Sequence, residues 1–189
     1  MKAELLILGV LHRGNFHPYE IKRRLSNAMV ECFTDVDVGT LYYAVRQLAK
    51  DGLIKPSARQ RVARGGVRTT YKMTATGRQR FQTLLHECFA APGSVADSLY
   101  VAMLFLHLCD APRVAALLQD KIARQQAAIV ELATIHKQFQ PLLGTGGRHL
   151  IRHLEAQRRL DLRWLRALRA DVAAGRISDV PDPAQLAAR

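Results

Sequence analysis

The spacing of apolar positions changes along the chain, and each change marks an element. Leu5, Leu6, Leu8, Val10 and Leu11 predict a short apolar helix that stops near Gly14. Pro18 suits the first turn of a second helix, where its missing N–H would have no partner anyway. Ile21, Leu25 and Met29 then fall on one face at four-residue spacing. A third helix is predicted from about Val38, with Leu41, Val45 and Leu48 as its stripe and Gly52 as its C-terminal stop. Beyond Gly52 the period shortens to two. Val67, Thr69, Tyr71 and Met73 alternate with Arg68, Thr70 and Lys72 after a Gly65-Gly66 turn, which is the signal of a β-hairpin. Thr74 is placed to cap a fourth helix, about Ala75 to Phe89, with Phe81, Leu84, Leu85 and Cys88 as its stripe. Gly77 is a poor fit in its first turn.

Pro92-Gly93 punctuates the segment Ala90–Ser94 and marks a boundary. The expected division is residues 1–90, residues 91–176, and a flexible tail at 177–189 that holds two prolines and two aspartates. In the second part, Val95–Cys109 is apolar almost all round and predicts a sandwiched helix. The next helix starts after Pro112 and ends near Pro141. Its stripe, Val114, Leu118, Ile122, Gln125, Ile129, Leu132, His136 and Phe139, steps by three and four like a coiled-coil seam. After a Gly144–Gly147 turn, a last helix from about Arg148 to Ala174 carries Ile151, Leu154, Leu165, Leu168 and Val172. Such seams are long and narrow, and three helices cannot cover them alone. Pairing between chains is therefore expected, through Leu99, Leu118, Ile122, Ile129, Leu132, Phe139, Leu154, Trp164, Leu165 and Leu168.

Composition narrows the class. The 189 residues are 49% hydrophobic, enough for a core and too apolar for a chain disordered throughout. Lys plus Arg number 28 and Asp plus Glu 16, a net charge of +12, so the chain is attracted to polyanions. Residues 46–80 hold ten basic side chains against the single acid Asp51, which is +9 of that total. Cys32, Cys88 and Cys109 are far apart and odd in number, so they suit reduced thiols in a cytoplasmic protein rather than a disulfide framework. The apolar run at Leu99–Cys109 is too short to span a bilayer, and no membrane partner is expected. No GxSxG, HExxH, Walker or GxGxxG pattern is present, so neither an enzyme nor a bound cofactor is expected. His149 and His153 stand four apart on a helix without a third ligand nearby in sequence, and no metal is expected.

Helix, helix, helix, basic hairpin is the order of a winged helix-turn-helix. The third helix would enter the major groove of double-stranded DNA, and the hairpin would reach flanking phosphates. Candidate DNA-binding residues are Tyr19 and Lys22 at the second helix, and Thr40, Tyr42, Tyr43, Arg46 and Lys50 at the third. Arg61, Arg64, Gly65, Gly66 and Arg68 are the candidates on the hairpin. Helical geometry sets Tyr42 and Tyr43 about 100° apart, so one is expected inward and one outward. The fold class is mainly α with a small β-hairpin: a winged helix-turn-helix plus a C-terminal coiled-coil-like dimerisation domain. The rival reading is a basic helical interaction protein that docks RNA or an acidic partner without reading DNA sequence.

Residues 5–89 resemble the PadR-type transcriptional regulators. The matching stretches are LLILGVL at Leu5–Leu11, His17-Pro18-Tyr19-Glu20-Ile21, Gly39-Thr40-Leu41-Tyr42, LAKDGLI at Leu48–Ile54, and Tyr71-Lys72-Met73-Thr74 with Gly77. The second half is similar to that family's dimerisation region in the variant related to virulence activators, through Leu99–Leu108, the helix from Pro112 and Trp164-Leu165. Pro18 stands where the family usually has Gly, and Tyr43 where it has Pro, so no operator consensus transfers. The resemblance implies a homodimeric bacterial transcription factor, commonly a repressor, that a small-molecule effector often relieves. Two recognition helices related by a twofold axis would read a palindromic operator, and a nucleoid-associated place in the cytoplasm is expected.

Overall fold

The computed structural model describes residues 2–28, 30, 41–61 and 67–177, with the backbone alone at 59–61 and 67. In chain order it contains α1 (Lys2–His12), α2 (Pro18–Asn27), α3 (Leu41–Lys50), β1 (Ile54–Arg61), β2 (Val67–Met73) and α4 (Ala75–Ala90). After these come α5 (Val95–Met103), α6 (Ala111–Phe139) and α7 (Thr145–Ala173). The chain divides into two compact units, one ending at Leu106 and one beginning at His107. The expected start of the third helix at Val38, the stripe residue Met29, Cys32 and the expected tail from Ser178 onward lie outside the described residues.

In the first unit α1 is the hub. Leu5 through Leu11 are all buried, and α1 touches α2, α3, α4, α5 and β2. Full burial of a leucine side chain is worth about 1.5–3 kcal/mol. The partly exposed Glu4–Arg80 ion pair, N to O 2.9 Å, belongs to a class worth about 0–1 kcal/mol. Apolar burial therefore decides where α1 sits. One close approach depends on a missing side chain: a Cβ on Gly9 would clash with the ring of Phe105. Phe105 in turn meets Phe81 edge-on at 5.6 Å.

The hairpin is antiparallel, running from Ile54↔Met73 to Arg61↔Val67, with a register shift between Pro56 and Ala58. Its second edge is occupied by the α1–α2 loop, where Phe16 and Tyr71 exchange both backbone hydrogen bonds, at 3.2 and 3.0 Å. Thr74 joins hairpin to helix. Its hydroxyl donates to the Gly52 and Leu53 carbonyls and accepts from the Gly77 N–H, capping α4 as expected. This junction explains Gly77. A Cβ there would fall on the Leu53 carbonyl oxygen, so the helical penalty of glycine is offset by the fit.

Two helix bounds differ from expectation. The helix predicted over Val95–Cys109 ends at Met103 and is followed by one 3-10 turn, Leu106–Leu108. The chain bends there so that Phe105 turns inward, and Asp110 then caps α6 by accepting from the Arg113 N–H at 3.0 Å. The last helix starts at Thr145, not Arg148, so Gly146 and Gly147 are helical rather than a turn. Arg148 supports that first turn by donating to the Leu143 carbonyl and the Thr145 hydroxyl.

In the second unit α6 and α7 pack along one another. Gln125 donates to the Arg158 carbonyl at 3.2 Å, and His136 Nδ1 lies 3.0 Å from Glu155 Oε1. Burial falls along the seam. Val114, Leu118 and Ile122 are buried, Gln125, Ile129, Leu132 and His136 half-buried, and Phe139 exposed. Val130, Ile135, Leu142, Leu150 and Leu160 are also exposed.

Gly9→Ala and Gly77→Ala should each lower stability by about 1–3 kcal/mol through overpacking. Thermal unfolding checks this; Gly52→Ala, where a Cβ meets nothing but the φ is +72°, separates backbone strain from steric fit.

Candidate nucleic-acid interface

The face opposite the buried stripe of α3 is the candidate interface. Leu41, Val45 and Leu48 point into the core, which leaves Tyr43, Arg46 and Lys50 exposed. Tyr42 departs from expectation. It is 41% exposed and Tyr43 is 68% exposed, so neither points inward. The reason is a hollow of about 360 Å³ beside α3, lined by His17, Pro18, Tyr42, Arg46, Thr69 and Tyr71, which leaves Tyr42 uncovered.

The start of α2 forms one wall. His17 is its N-cap: the backbone is extended there, and Nδ1 accepts from the Tyr19 N–H at 3.1 Å. Glu20 reaches back to accept from the His17 N–H at 2.9 Å, which completes a capping box. Two orphan amides are thereby satisfied, and Tyr19, exposed, and Lys22, half-buried, are held near that end. Burial lowers the His17 pKa from the ordinary histidine range, the Arg68 guanidinium lowers it further, and Glu20 opposes both. Arg68 on β2 lies 3.8 Å from Glu20, so its charge is partly compensated before any ligand arrives. Arg24 stacks over the Phe16 ring at 4.1 Å.

The structure thus brings Tyr19, Lys22, Tyr42, Tyr43, Arg46, Lys50 and Arg68 into one unit, on α2, α3 and β2. Thr40, Arg64, Gly65 and Gly66 lie outside the described residues, as does the side chain of Arg61. Sequence reasoning missed His17, Thr69 and Tyr71. The Glu three residues after His17 was the available signal for a capping box, but histidine is not among the usual caps.

The expected dimer contacts separate into two sets. Leu99, Leu118, Ile122 and Leu165 are enclosed by the chain itself and have almost no surface for a second copy. Heptad spacing identifies a buried stripe without saying which chain covers it. Ile129, Leu132, Leu154, Trp164 and Leu168 are half-buried and Phe139 is exposed. Among the described residues no group of three or more His, Cys, Asp or Glu could hold a metal ion. No described helix is long and apolar enough to cross a membrane.

A family model, the transcriptional regulator PadR-like family, matches residues 7–83. The chain carries a PadR-like transcriptional-regulator domain. No curated protein matches the chain. Among solved structures it is similar to PadR of Bacillus subtilis in complex with operator DNA. That match is 17% identical, covers 89% of this chain and 98% of that one, and has a TM-score of 0.43. It is similar also to smu.1604c of Streptococcus mutans, at 22% identity, 90% and 99% coverage and a TM-score of 0.43. A third is B. subtilis PadR in complex with p-coumaric acid, at 16% identity, 92% and 99% coverage and a TM-score of 0.39. The matched segment contains the second half of α1, the His17 cap, α3 and the whole hairpin.

The His17 cap makes the PadR-like domain sensitive to acid. Nδ1 must be unprotonated to accept the Tyr19 N–H, and the folded pKa is lowered. The unfolded chain takes up a proton near the ordinary value, about 6.5, while the folded chain resists it. Stability is therefore full above that value and is lost as pH falls through it toward the folded pKa. Melting temperature should drop between pH 7.5 and 5.5, and should drop less in His17→Asn, which keeps a capping side chain without the titration. Equal drops would remove His17 as the cause.

Proposed function

We infer that the protein is a dimeric, sequence-specific DNA-binding regulator of the cytoplasm. The exposed row on α3 would read a major groove while β2 and the start of α2 hold the flanking phosphates. The observation that carries this is the exposed face of α3. Tyr43, Arg46 and Lys50 form a polar, cationic row on a helix whose other face is locked into the core. One α-helix fits the major groove, and two related by a twofold axis read a palindrome with half-sites about 10 bp, or a multiple, apart. Repression, and relief by a small ligand, are what the PadR-like resemblance implies. Pairing is supported by the second unit. Leu150 and Leu160 are 59% and 57% exposed, and Val130 is 66% exposed, on a two-helix hairpin too thin to cover them.

Tyr43→Ala and Arg46→Ala should each weaken binding to a duplex from the protein's own upstream region by about 1–3 kcal/mol, with smaller losses on random duplex. Equal losses on both duplexes, measured by gel shift, would make α3 a phosphate anchor without sequence readout. Leu150→Asp combined with Leu160→Asp should convert the dimer to monomer in sedimentation while helical content is retained. A double variant that sediments like the unaltered chain would place pairing elsewhere.

A further inference from the structure

We propose a second anion site in the first unit, beside the hairpin and lined by other residues than the hollow at α3, built to hold a multiply charged phosphate. The site is a hollow of about 520 Å³ whose lining includes His12, Arg13, Lys55, Lys72 and Arg78, and no carboxylate. The described acids of the first ninety residues are engaged elsewhere. Glu4 and Glu87 meet Arg80, Glu20 meets Arg68, and Asp51 accepts from Gln47. None of these acids therefore offsets the four permanent cations Arg13, Lys55, Lys72 and Arg78.

The hairpin register sharpens the case. Lys55 and Lys72 are direct cross-strand partners, and both are exposed. Like charges placed directly opposite destabilise a strand pair, and an anion bound between them reverses that sign. The lining separates this site from the DNA-facing one. Thr69 and Tyr71 of β2 line the hollow beside α3, Lys72 and Met73 line this one, and the two share no lining residue.

The frame is built before any ligand arrives. Asn15 donates to the Ser57 hydroxyl at 2.9 Å, and the Phe16–Tyr71 backbone pair fixes the loop that carries Arg13 to the strand that carries Lys72. The sixteen-residue α4 begins at the rim with Ala75, which adds the positive end of its dipole to the side-chain charges. Guanidinium and ammonium groups both form charge-assisted bonds to phosphate oxygens, and four of them favour adjacent phosphates over a single carboxylate. The occupant is a run of linked phosphates, carried either by a free polyphosphate anion or by duplex DNA beyond the α3 footprint.

The test is calorimetric titration of the full chain with sodium tripolyphosphate. Saturable binding of one anion per chain is expected. Lys55→Gln with Lys72→Gln should weaken it by about tenfold or more. Arg23→Gln with Arg163→Gln, the same loss of charge at exposed positions elsewhere, should leave it nearly unchanged. Absence of saturable binding, or equal weakening by the two double variants, would overturn the site. A DNA arm separates the two sources. Duplex affinity unaltered by the Lys55 and Lys72 changes assigns the site to a free anion. A loss on a long duplex that is absent on a half-site duplex of about 10 bp assigns it to flanking DNA. An equal loss on both lengths would place the two lysines on the α3 face and overturn the separation. The tripolyphosphate titration contains no DNA, so this site and the DNA-reading face fail independently.

Discussion

The burial of α1 is the constraint on which the first unit depends. Seven consecutive residues of one helix, Leu5 to Leu11, are removed from solvent on every side, so every neighbouring element must present an apolar face to it. α2 answers with Ile21 and Leu25, α3 with its Leu41–Val45–Leu48 stripe, and α4 with Phe81, Leu84 and Leu85. Gly9 lets Phe105 approach, which brings the end of α5 into the same core. Once α3 is fixed by three buried side chains, its opposite face is fixed as well. The exposed row of Tyr43, Arg46 and Lys50 is a consequence of the core, and no separate interaction is needed to aim it.

The polar groups around that row refine its position. His17 and Glu20 close the start of α2, and Arg68 on β2 lies 3.8 Å from Glu20. Thr74 joins the end of the hairpin to α4 through Gly52, Leu53 and Gly77. These bonds are individually small, about 0.5–1.5 kcal/mol for a neutral pair. Their value is geometric: they fix the hairpin against the α1–α2 loop and so hold two hollows of different chemistry beside it. One is shared with aromatic and recognition-helix side chains. The other is lined by cations with no acid among them.

Much of this was legible in the chain. The elements α1 to α4 and the hairpin followed from periodicity, a proline at the first turn of α2, and glycine after α3. The Thr74 cap was readable because threonine there has a specific physical role. Three things were not readable. The end of α5 was hidden because Leu104 to Leu108 stay apolar after the helix stops, and only the inward turn of Phe105 ends it. Tyr42 and Tyr43 were expected to face opposite ways, but helical angle says nothing of whether a neighbour fills the space beside Val45. Leu99, Leu118, Ile122 and Leu165 read as a seam between chains, yet each is covered by its own chain. Stripe spacing reports burial and is silent on the partner.

Fluorescence anisotropy of the full protein tests the account most directly. Labelled duplex from the protein's own upstream region is compared with random duplex at two salt concentrations. An α3 that reads bases predicts binding to the upstream duplex about 10³-fold or more tighter than to random DNA, with affinity for both falling steeply as salt rises. Equal affinity for the two duplexes at both salt concentrations would contradict it, leaving a basic surface that senses phosphate and reads no sequence.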